Sequence, residues 1–159
     1  MYKIGYGEDI HVLKEGKKLY LGSVLIDENI GCIAHSDGDV LLHSLVDALL
    51  GAMGLGDIGE HFSDKDPQYK DKESSYFILK TMEYLKQYNY EIVNVDSLVI
   101  LEKIKIKDFK PIIKESVAKL LNIDASLVNI KAGTNEKMDA VGEGKCVIAK
   151  TVVLLRKKD

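Results

Sequence analysis

The chain has 159 residues and a formal net charge of −3, from 22 Lys and Arg against 25 Asp and Glu. Its residues are 46% hydrophobic and only 2 are proline, which excludes the disordered, collagen-like and disulfide-rich classes. The balanced charge lacks the general basic footprint of nucleic-acid binding proteins. A chain of this length is about the size of one domain, so we expect a single domain over residues 1–159 with one sizeable core.

The cysteines and the apolar runs indicate where the chain resides. Cys32 and Cys146 do not form a Cys-x-x-Cys pair or a disulfide framework, which is typical of free thiols in a reducing compartment. Met1 is followed directly by Tyr2-Lys3-Ile4 without a signal-like segment, and no apolar run approaches the ~20 residues that cross a bilayer. We therefore expect a cytoplasmic protein with no membrane and no nucleic-acid partner.

The first half of the chain alternates strand-like and helix-like patterns. Residues 2–13 and 18–26 are predicted strands with Gly16 at the turn between them, which indicates a hairpin-like start. Asp37-Gly38-Asp39 then opens a helix whose apolar residues, from Val40 to Met53, follow helical spacing. This helix is predicted to end in the glycine-rich stretch 51–59.

The second half continues with a polar segment, 60–72, that is predicted to be a loop. A helix capped by Ser74 or Ser75 is predicted to run to about residue 88, and another, with Pro111 in its first turn, to about residue 121. Strands are predicted over three further ranges, 91–102, 127–134 and 146–155. The order β-β-α-α-β-α-β-β indicates an α+β single-domain sandwich, in which helices cover one face of a four- or five-stranded mixed sheet.

A candidate metal site combines the first strand with the first helix. Asp9 and His11 are two residues apart on a strand, so both side chains lie on one face. His43 lies one turn into the helix, in an Asp39, His43, Asp47 stripe at i, i+4 and i+8. One carboxylate and two imidazoles suit Zn²⁺ with an open fourth position. We expect a flanking Asp to accept the second N–H of the His43 ring.

Two further segments carry groups that suit a phosphorylated ligand. The glycine-rich run 54–64 lets the backbone approach a ligand closely and offers Asp57 to sugar hydroxyls. The run 131–137 ends a predicted strand with Thr134, Glu136 and Lys137 together. A hydroxyl, an acid and a cation are groups that a diphosphate–Mg²⁺ complex could use.

These segments, in this order, resemble the family of 2-C-methyl-D-erythritol 2,4-cyclodiphosphate synthases of the non-mevalonate isoprenoid pathway. The resemblance is carried by G-x-G-x-D-I-H at 5–11, H-S-D-G-D-V-x-x-H at 35–43, D-A-L-L-G-A at 47–52, G-x-G-D-I-G-x-x-F at 54–62 and a T-x-E-K-type run at 134–137. It implies a homotrimer with active sites at subunit interfaces. It also implies that the chain is a phosphorus–oxygen lyase, which converts 4-diphosphocytidyl-2-C-methyl-D-erythritol 2-phosphate to the cyclic diphosphate and CMP.

The resemblance also implies the ligands of the site. A Zn²⁺-type ion (Zn²⁺, Mn²⁺ or Co²⁺) binds Asp9, His11 and His43, and a second divalent ion, Mg²⁺ or Mn²⁺, binds the substrate diphosphate near Glu136. His35 and Thr134 match the catalytic positions that stabilise the transferring phosphoryl group. The full set of implied substrate contacts is Asp9, Ile10, His11, His35, Ser36, Asp57, Ile58, Gly59, Phe62, Ser63, Asp64, Lys65, Asp66, Leu101, Glu102, Lys103, Ile104, Lys105, Ile106, Lys107, Gly133, Thr134, Asn135 and Glu136.

Within that set, Ser36 matches a phosphate contact, and residues 57–59 match the part that holds the methylerythritol. Residues 101–107 match a cytidine pocket supplied by the neighbouring subunit, with Lys105 as the candidate contact.

Some positions depart from the family pattern. Residues 138–144 form a shorter segment without the usual Phe and Arg, and Ile104 and Ser63 replace usual prolines. Glu8 takes a place that is often aromatic, which predicts that an axial trimer cavity does not bind isoprenoid diphosphates. Two alternatives stay open: a metal-dependent phosphohydrolase that activates water, and a non-catalytic protein with a structural zinc whose nearest fourth ligand is His61.

Overall fold

The computed structural model describes all 159 residues as one α+β unit around a five-stranded sheet. The strands are β1 (Tyr2–Glu15), β2 (Leu19–Leu21), β3 (Val24–Asp27), β4 (Ile30–Cys32), β5 (Tyr90–Ile100), β6 (Val128–Gly133) and β7 (Cys146–Lys157). The helices are α1 (Val40–Met53), α2 (Ile58–His61), α3 (Ser74–Gln87), α4 (Lys110–Leu121) and α5 (Asp139–Gly142). None of these helices combines the length and the hydropathy needed to span a membrane.

The main sheet has the strand order β4-β1-β7-β5-β6. β1 pairs antiparallel with β4 and β7, β7 pairs antiparallel with β5, and β5 pairs parallel with β6. The parallel pair requires a crossover, which α4 supplies between β5 and β6. The predicted mixed sheet of four or five strands is therefore confirmed, with five.

The hairpin-like start is wrong, because β1 pairs with β4 and β7 and not with the strand that follows it. The predicted strand 18–26 is two short strands, β2 and β3, which form their own two-stranded sheet. Gly22 and Ser23 lie between them with φ of +62° and +63°. A serine rarely adopts this left-handed conformation, so the apolar run around it concealed the turn.

Helix α1 lies directly against β1 because two glycines of β1 have no side chain. A Cβ on Gly5 would lie 1.8 Å from the carbonyl oxygen of Ala48, and one on Gly7 would lie 2.0 Å from that of Ser44. Only glycine permits this approach of strand and helix backbone. The contact fixes the distance between the β1 residues after Gly7 and the first turn of α1.

The face of β1 opposite α1 is open in the single chain. Five apolar side chains on it are each more than half exposed: Tyr2, Ile4, Tyr6, Ile10 and Val12. They alternate with residues that face the helices, as the strand period of two requires. Glu8 shares this open face and contacts Tyr6 through its carboxylate. A contiguous apolar face of this kind is typical of an interaction surface.

Asp39 joins the start of α1 to the β2–β3 hairpin. Its Oδ1 accepts hydrogen bonds from the N–H groups of Leu42 (3.1 Å) and Gly22 (3.0 Å), and its Oδ2 accepts one from Ser23 (2.7 Å). The side chain is fully buried. Burial raises the pKa of Asp39 to about 6, although the three N–H groups act to lower it. Ser116 of α4 donates to the carbonyl of Gly22 at 2.6 Å, so the hairpin turn is held from two helices.

Helix α3 begins at Ser74, so the predicted cap by Ser74 or Ser75 is wrong. The N-cap residue is Glu73, whose side chain makes no capping hydrogen bond. The N–H of Ser74 instead donates to Asp37 Oδ2 at 2.9 Å, from the loop that precedes α1. The capping carboxylate is thus 37 residues away in sequence, which no local pattern reveals.

Candidate active site

Asp9, His11 and His43 meet between β1 and α1. The Oδ2 atom of Asp9 lies 3.0 Å from His43 Nδ1 and 3.6 Å from His11 Nδ1. One potential ligand atom from each residue lies within 4.8 Å of the others. The prediction that these three residues come together is confirmed.

The chemistry of His11 indicates that the cluster fits a metal ion. Its Nδ1 lies 2.7 Å from the carbonyl oxygen of Ile10, which places the ring hydrogen on Nδ1. Its Nε2 then holds a lone pair, and this atom is buried without a hydrogen-bond partner. An unpaired buried acceptor costs about 1–3 kcal/mol, and a cation would offset that cost. One carboxylate and two imidazole nitrogens suit an ion such as Zn²⁺.

His43 is held on its far side by hydroxyl groups. Its Nε2 lies 2.8 Å from Ser74 Oγ and 3.1 Å from Ser36 Oγ. Burial acts to lower the pKa of His43, but the hydrogen bond and charge of Asp9, with the charges of Asp39 and Asp37, outweigh it. The pKa therefore lies above its ordinary value of 6.5.

The prediction that a flanking Asp of α1 accepts the second N–H of His43 is wrong. Asp39 caps the helix, and Asp47 Oδ1 accepts a hydrogen bond from the N–H of Ile58 at 2.7 Å. The ring of His43 reaches across to α3, where Ser74 lies, rather than along its own helix. Asp47 instead fixes the first residue of α2, next to the metal cluster.

A cavity of about 420 Å³ opens beside the metal cluster. Its lining residues are His11, Ala34, His35, Ser36, His43, Ile58, Gly59, Phe62, Asp64, Tyr69 and Phe77. Six of these, in the segments 35–36 and 58–64, were predicted from the sequence to contact substrate, and with the predicted metal ligands His11 and His43 eight predicted residues come together here.

The sequence analysis missed the aromatic wall of this cavity. Phe62 packs against Phe77 of α3, with ring centroids 4.9 Å apart, and against Tyr69, at 5.7 Å. Phe77 could have been identified only as part of the apolar face of α3, since helical spacing gives no distinction between a core and a cavity position.

Several predicted contact residues use their side chains to shape the cavity rather than to line it. Asp57 caps α2 by accepting a hydrogen bond from Glu60 N–H at 3.0 Å. Asp66 caps a short turn, and its carbonyl oxygen lies 3.3 Å from His35 Nε2. Ser63 Oγ accepts a hydrogen bond from the N–H of Lys65 at 3.2 Å. These contacts fix the backbone of the loop that runs from α2 to α3.

Residues 133–136 are not brought to the metal cluster within one chain. The sheet register pairs Ile10 with Ile148, Ile148 with Ile100, and Ile100 with Gly133. Three strand spacings separate the first from the last, which is roughly 14 Å. Thr134, which directly follows β6, is therefore separated from the metal cluster by the width of three strand spacings.

The segment 101–107 adjoins this second region. Leu101 and Ile106 are 3% exposed, so their side chains belong to the core. Lys103, Lys105 and Lys107 are exposed. The region thus presents three cations and backbone, and its apolar side chains point inward.

Glu102 organises the turn that carries Glu136. Its Oε2 accepts a hydrogen bond from Asn135 N–H at 3.0 Å, and its Oε1 accepts one from Lys137 N–H at 3.3 Å. Glu136 and Lys137 both have left-handed backbones, with φ of +50° and +61°. One carboxylate therefore holds a turn that is costly for non-glycine residues.

Comparison with protein families matches the YgbB family over residues 2–156. The chain is 48% identical over 157 residues to the 2-C-methyl-D-erythritol 2,4-cyclodiphosphate synthase, chloroplastic, of Arabidopsis thaliana, covering 99% of this chain and 68% of that protein. It is 46% identical to the 2-C-methyl-D-erythritol 2,4-cyclodiphosphate synthase of Fusobacterium nucleatum, covering 99% of each chain.

Solved structures show the same fold. The bifunctional IspDF of Campylobacter jejuni superposes with a TM-score of 0.96 at 37% identity, covering all of this chain and 43% of that one. IspF of Plasmodium falciparum, solved as a CDP complex, superposes with a TM-score of 0.88 at 35% identity, covering 99% of this chain and 97% of that one.

Proposed function

Because the chain belongs to the YgbB family, we propose that it converts 4-diphosphocytidyl-2-C-methyl-D-erythritol 2-phosphate to 2-C-methyl-D-erythritol 2,4-cyclodiphosphate and CMP. It is a phosphorus–oxygen lyase of non-mevalonate isoprenoid biosynthesis. The observation that carries the proposal is the cluster of Asp9, His11 and His43 at the wall of a cavity that also holds His35 and Ser36. The predicted cytoplasmic location stays a prediction.

The reaction exchanges one phosphorus–oxygen bond for another. An oxygen of the 2-phosphate bonds to the β-phosphorus, the bond from that phosphorus to the oxygen bridging the α-phosphorus breaks, and CMP leaves with the electron pair. Phosphoryl transfer of this kind depends on positioning and charge neutralisation, so no nucleophilic side chain is needed. The cavity accordingly contains no cysteine, and its one serine, Ser36, lies within hydrogen-bond distance of His43.

Asp9, His11 and His43 would hold a Zn²⁺, Mn²⁺ or Co²⁺ ion, which when bound supplies a Lewis acid for a phosphoryl oxygen. Ser36 lines the cavity beside this cluster and is assigned to a substrate phosphate. His35 is assigned to the transferring phosphoryl group, since it lines the same cavity while its Nε2 is held near the carbonyl of Asp66.

The methylerythritol part is assigned to the backbone of Ile58 and Gly59, which line the cavity. Asp57 supports that backbone by capping α2, and Asp47 supports it through the N–H of Ile58. Phe62, Tyr69 and Phe77 form an apolar wall on one side. This arrangement would exclude water from an internal attack.

The active enzyme is proposed to be a homotrimer. The open face of β1, with its exposed tyrosine and aliphatic side chains, is a surface that an identical chain would bury. The separation of residues 133–136 from the metal cluster supports a site shared between subunits, because those residues cannot reach the cluster of their own chain.

The neighbouring subunit would supply the remaining groups. Thr134 would contact the transferring phosphoryl group, Glu136 would hold a Mg²⁺ or Mn²⁺ ion on the diphosphate, and Lys105 would contact the cytidine nucleotide. The CDP bound to the Plasmodium falciparum relative supports a cytidine nucleotide as the ligand class. The exposure of Lys105 supports its role across an interface.

Turnover of the cytidyl substrate by the wild type and by His43→Ala tests the function. Phosphorus NMR should show CMP and a cyclic diphosphate without orthophosphate, and His43→Ala should lose at least about 10²-fold in rate. His61→Ala is the matched control, since the Nε2 of His61 lies 2.7 Å from Leu55 O, outside the metal cluster. Orthophosphate as the product would establish the phosphohydrolase instead, and equal rates for wild type and His43→Ala would refute the metal assignment.

A further inference from the structure

Ser74, the first residue of α3, contacts the His43 ring at Nε2, whereas Asp9 contacts the same ring at Nδ1. Its side chain is fully buried. Its Oγ lies 2.8 Å from His43 Nε2, and the same hydroxyl donates a hydrogen bond to Asp37 Oδ1. The resemblance to the family assigned no role to either Ser74 or the carboxylate of Asp37.

The hydrogens available on Asp37, Ser74 and His43 determine which group donates and which accepts in each hydrogen bond. An ionised carboxylate only accepts hydrogen bonds, and a serine hydroxyl has a single hydrogen to donate. The hydroxyl hydrogen of Ser74 is therefore committed to Asp37. Towards His43 the Ser74 oxygen can only accept, so the Nε2 atom of His43 must carry a hydrogen.

A neutral imidazole with its hydrogen on Nε2 has its lone pair on Nδ1. That Nδ1 atom lies 3.0 Å from Asp9 Oδ2, on the side of the cluster where the metal ligands converge. Two electron-rich atoms at this distance repel each other unless a cation lies with them. The hydrogen bonds at Nε2 of His43 thus leave the lone pair on Nδ1 available for a metal ion.

We propose that Ser74, supported by Asp37, is a positioning residue that holds the His43 ring with its hydrogen on Nε2 and its Nδ1 lone pair directed at the metal. The inference deepens the proposed function and rests on its metal site. It assigns Ser74 no contact with substrate.

Asp37 makes this arrangement rigid because it holds both ends of Ser74. Its Oδ2 accepts the N–H of Ser74 at 2.9 Å, while its Oδ1 accepts the hydroxyl and also the N–H of Asp39, at 3.1 Å. The serine rotamer is therefore fixed by the same carboxylate that orders the start of α3. Carboxylate partners behind metal-bound histidines commonly fix the ring in this way, here through one intervening hydroxyl.

The hydrogen on His43 Nε2 also determines whether Ser36 donates or accepts. Its Oγ lies 3.1 Å from His43 Nε2, so it also accepts from that N–H. The hydroxyl hydrogen of Ser36 then stays available for the cavity that Ser36 lines. A single ring hydrogen would in this way leave a donor directed towards an anionic substrate group.

The first measurement uses the wild type. The ¹⁵N NMR spectrum of the His43 ring in the Zn²⁺-loaded protein should show a protonated Nε2 and a metal-bound Nδ1. A metal-bound Nε2, or a hydrogen on Nδ1, would overturn the inference without any variant. Turnover is not part of this readout, so the result is independent of whether the proposed reaction is correct.

The second measurement is Zn²⁺ affinity by competition with a chromophoric chelator. Ser74→Ala removes the acceptor, and we expect affinity to fall by about 10–100-fold. Ser44→Ala is the matched control, since it removes a fully buried hydroxyl that bonds Leu41 O and Thr151 instead. Unchanged affinity in Ser74→Ala, or an equal loss in Ser44→Ala, would refute a specific role for Ser74.

Asp37→Ala tests the direction of the hydrogen bonds while it keeps both serines. It removes the acceptor of the Ser74 hydroxyl, so the hydroxyl hydrogen can turn towards His43 Nε2 and the ring hydrogen of the metal-free protein can move to Nδ1, where Asp9 Oδ2 accepts it. We expect that inversion in the ¹⁵N spectrum at a pH where the ring is neutral, together with weaker Zn²⁺ binding. A metal-free Asp37→Ala ring that keeps its hydrogen on Nε2 would contradict the inference, also in the case that Ser74→Ala does not fold.

Discussion

The close contact of β1 with α1 makes Gly7 the most sensitive position next to the metal cluster. In Gly7→Ala the new Cβ would lie 2.0 Å from the carbonyl oxygen of Ser44, whereas ordinary contacts begin near 3.4 Å. Both atoms belong to, or are bonded to, backbone, so no side chain can move aside and the helix must separate from the strand by more than an ångström. Overpacking costs about 1–3 kcal/mol and occasionally more, and we expect at least about 3 kcal/mol here.

The same displacement should weaken the metal site. Asp9 follows Gly7 by two residues, and His43 immediately precedes Ser44, the residue that the new methyl group would meet. Separation of the two backbones therefore lengthens the 3.0 Å distance between Asp9 Oδ2 and His43 Nδ1. We expect Zn²⁺ affinity to fall by at least about tenfold, as for other changes that misplace a ligand.

Gly51→Ala is the matched control, because Gly51 lies on the same helix and has the opposite environment. The nearest atom to its Cβ would be Tyr6 O at 3.9 Å, and its backbone is helical. Alanine should stabilise the helix there by about 0.5–1 kcal/mol. The two substitutions thus differ in sign although both add one methyl group to the same strand–helix pair.

Urea unfolding of the metal-free proteins measures the change in unfolding free energy for Gly7→Ala and for Gly51→Ala. Equal slopes m would confirm that the folded states remain equally compact. Zn²⁺ affinity follows from chelator competition. A Gly7→Ala protein within about 1 kcal/mol of the wild type would show that β1 and α1 can separate at little cost, which would refute the packing argument.

The remaining predictions concern the pH dependence of His43, the sharing of the site between subunits, and the buried cap Asp39. His43 has a raised pKa in the metal-free protein, so protons compete with Zn²⁺ and affinity should fall by up to about tenfold per pH unit below that pKa; an affinity that is constant from about pH 6 to about pH 8 would contradict this. The same shift stabilises the metal-free fold fully below pH 6.5, the ordinary value, and this stabilisation is lost as pH rises through the raised pKa. Co-refolded equal mixtures of His43→Ala and Glu136→Gln should regain about one quarter of wild-type activity, because random assembly gives that share of intact shared sites, whereas sites within one chain would regain none. Asp39→Ala should cost about 2–4 kcal/mol in urea unfolding, since three backbone N–H groups lose their acceptor, and a loss below about 1 kcal/mol would show that water replaces it.

The metal ligands could be predicted from the sequence because their placement depends on local periodicity. Asp9 and His11 share a face by the strand period of two, and His43 follows from the start of a helix that Asp39 caps. The cavity residues between 58 and 64 were also identified, but there the resemblance to the family supplied the individual contacts. Only the metal ligands followed from local spacing.

The contacts between distant segments could not be predicted in the same way. Ser74 lies 31 residues after His43, and its carboxylate partner, Asp37, lies 37 residues before Ser74. Similarly, the sheet order that separates Gly133 from Ile10 by three strand spacings depends on pairing that sequence spacing does not encode. Both cases are tertiary contacts, for which helix and strand patterns carry no information.

The turn of the β2–β3 hairpin differs from most surface turns in its tolerance of length changes. Surface loops usually accept insertions, because their backbone groups can turn to water. Here the amides of Gly22 and Ser23 bind Asp39, and the carbonyl of Gly22 accepts from Ser116. An inserted residue would change which amides face Asp39 and would leave a buried carboxylate without its partners. Libraries of insertions should therefore be depleted at residues 22–23, and this turn is unsuitable for attaching a tag even though it joins two very short strands.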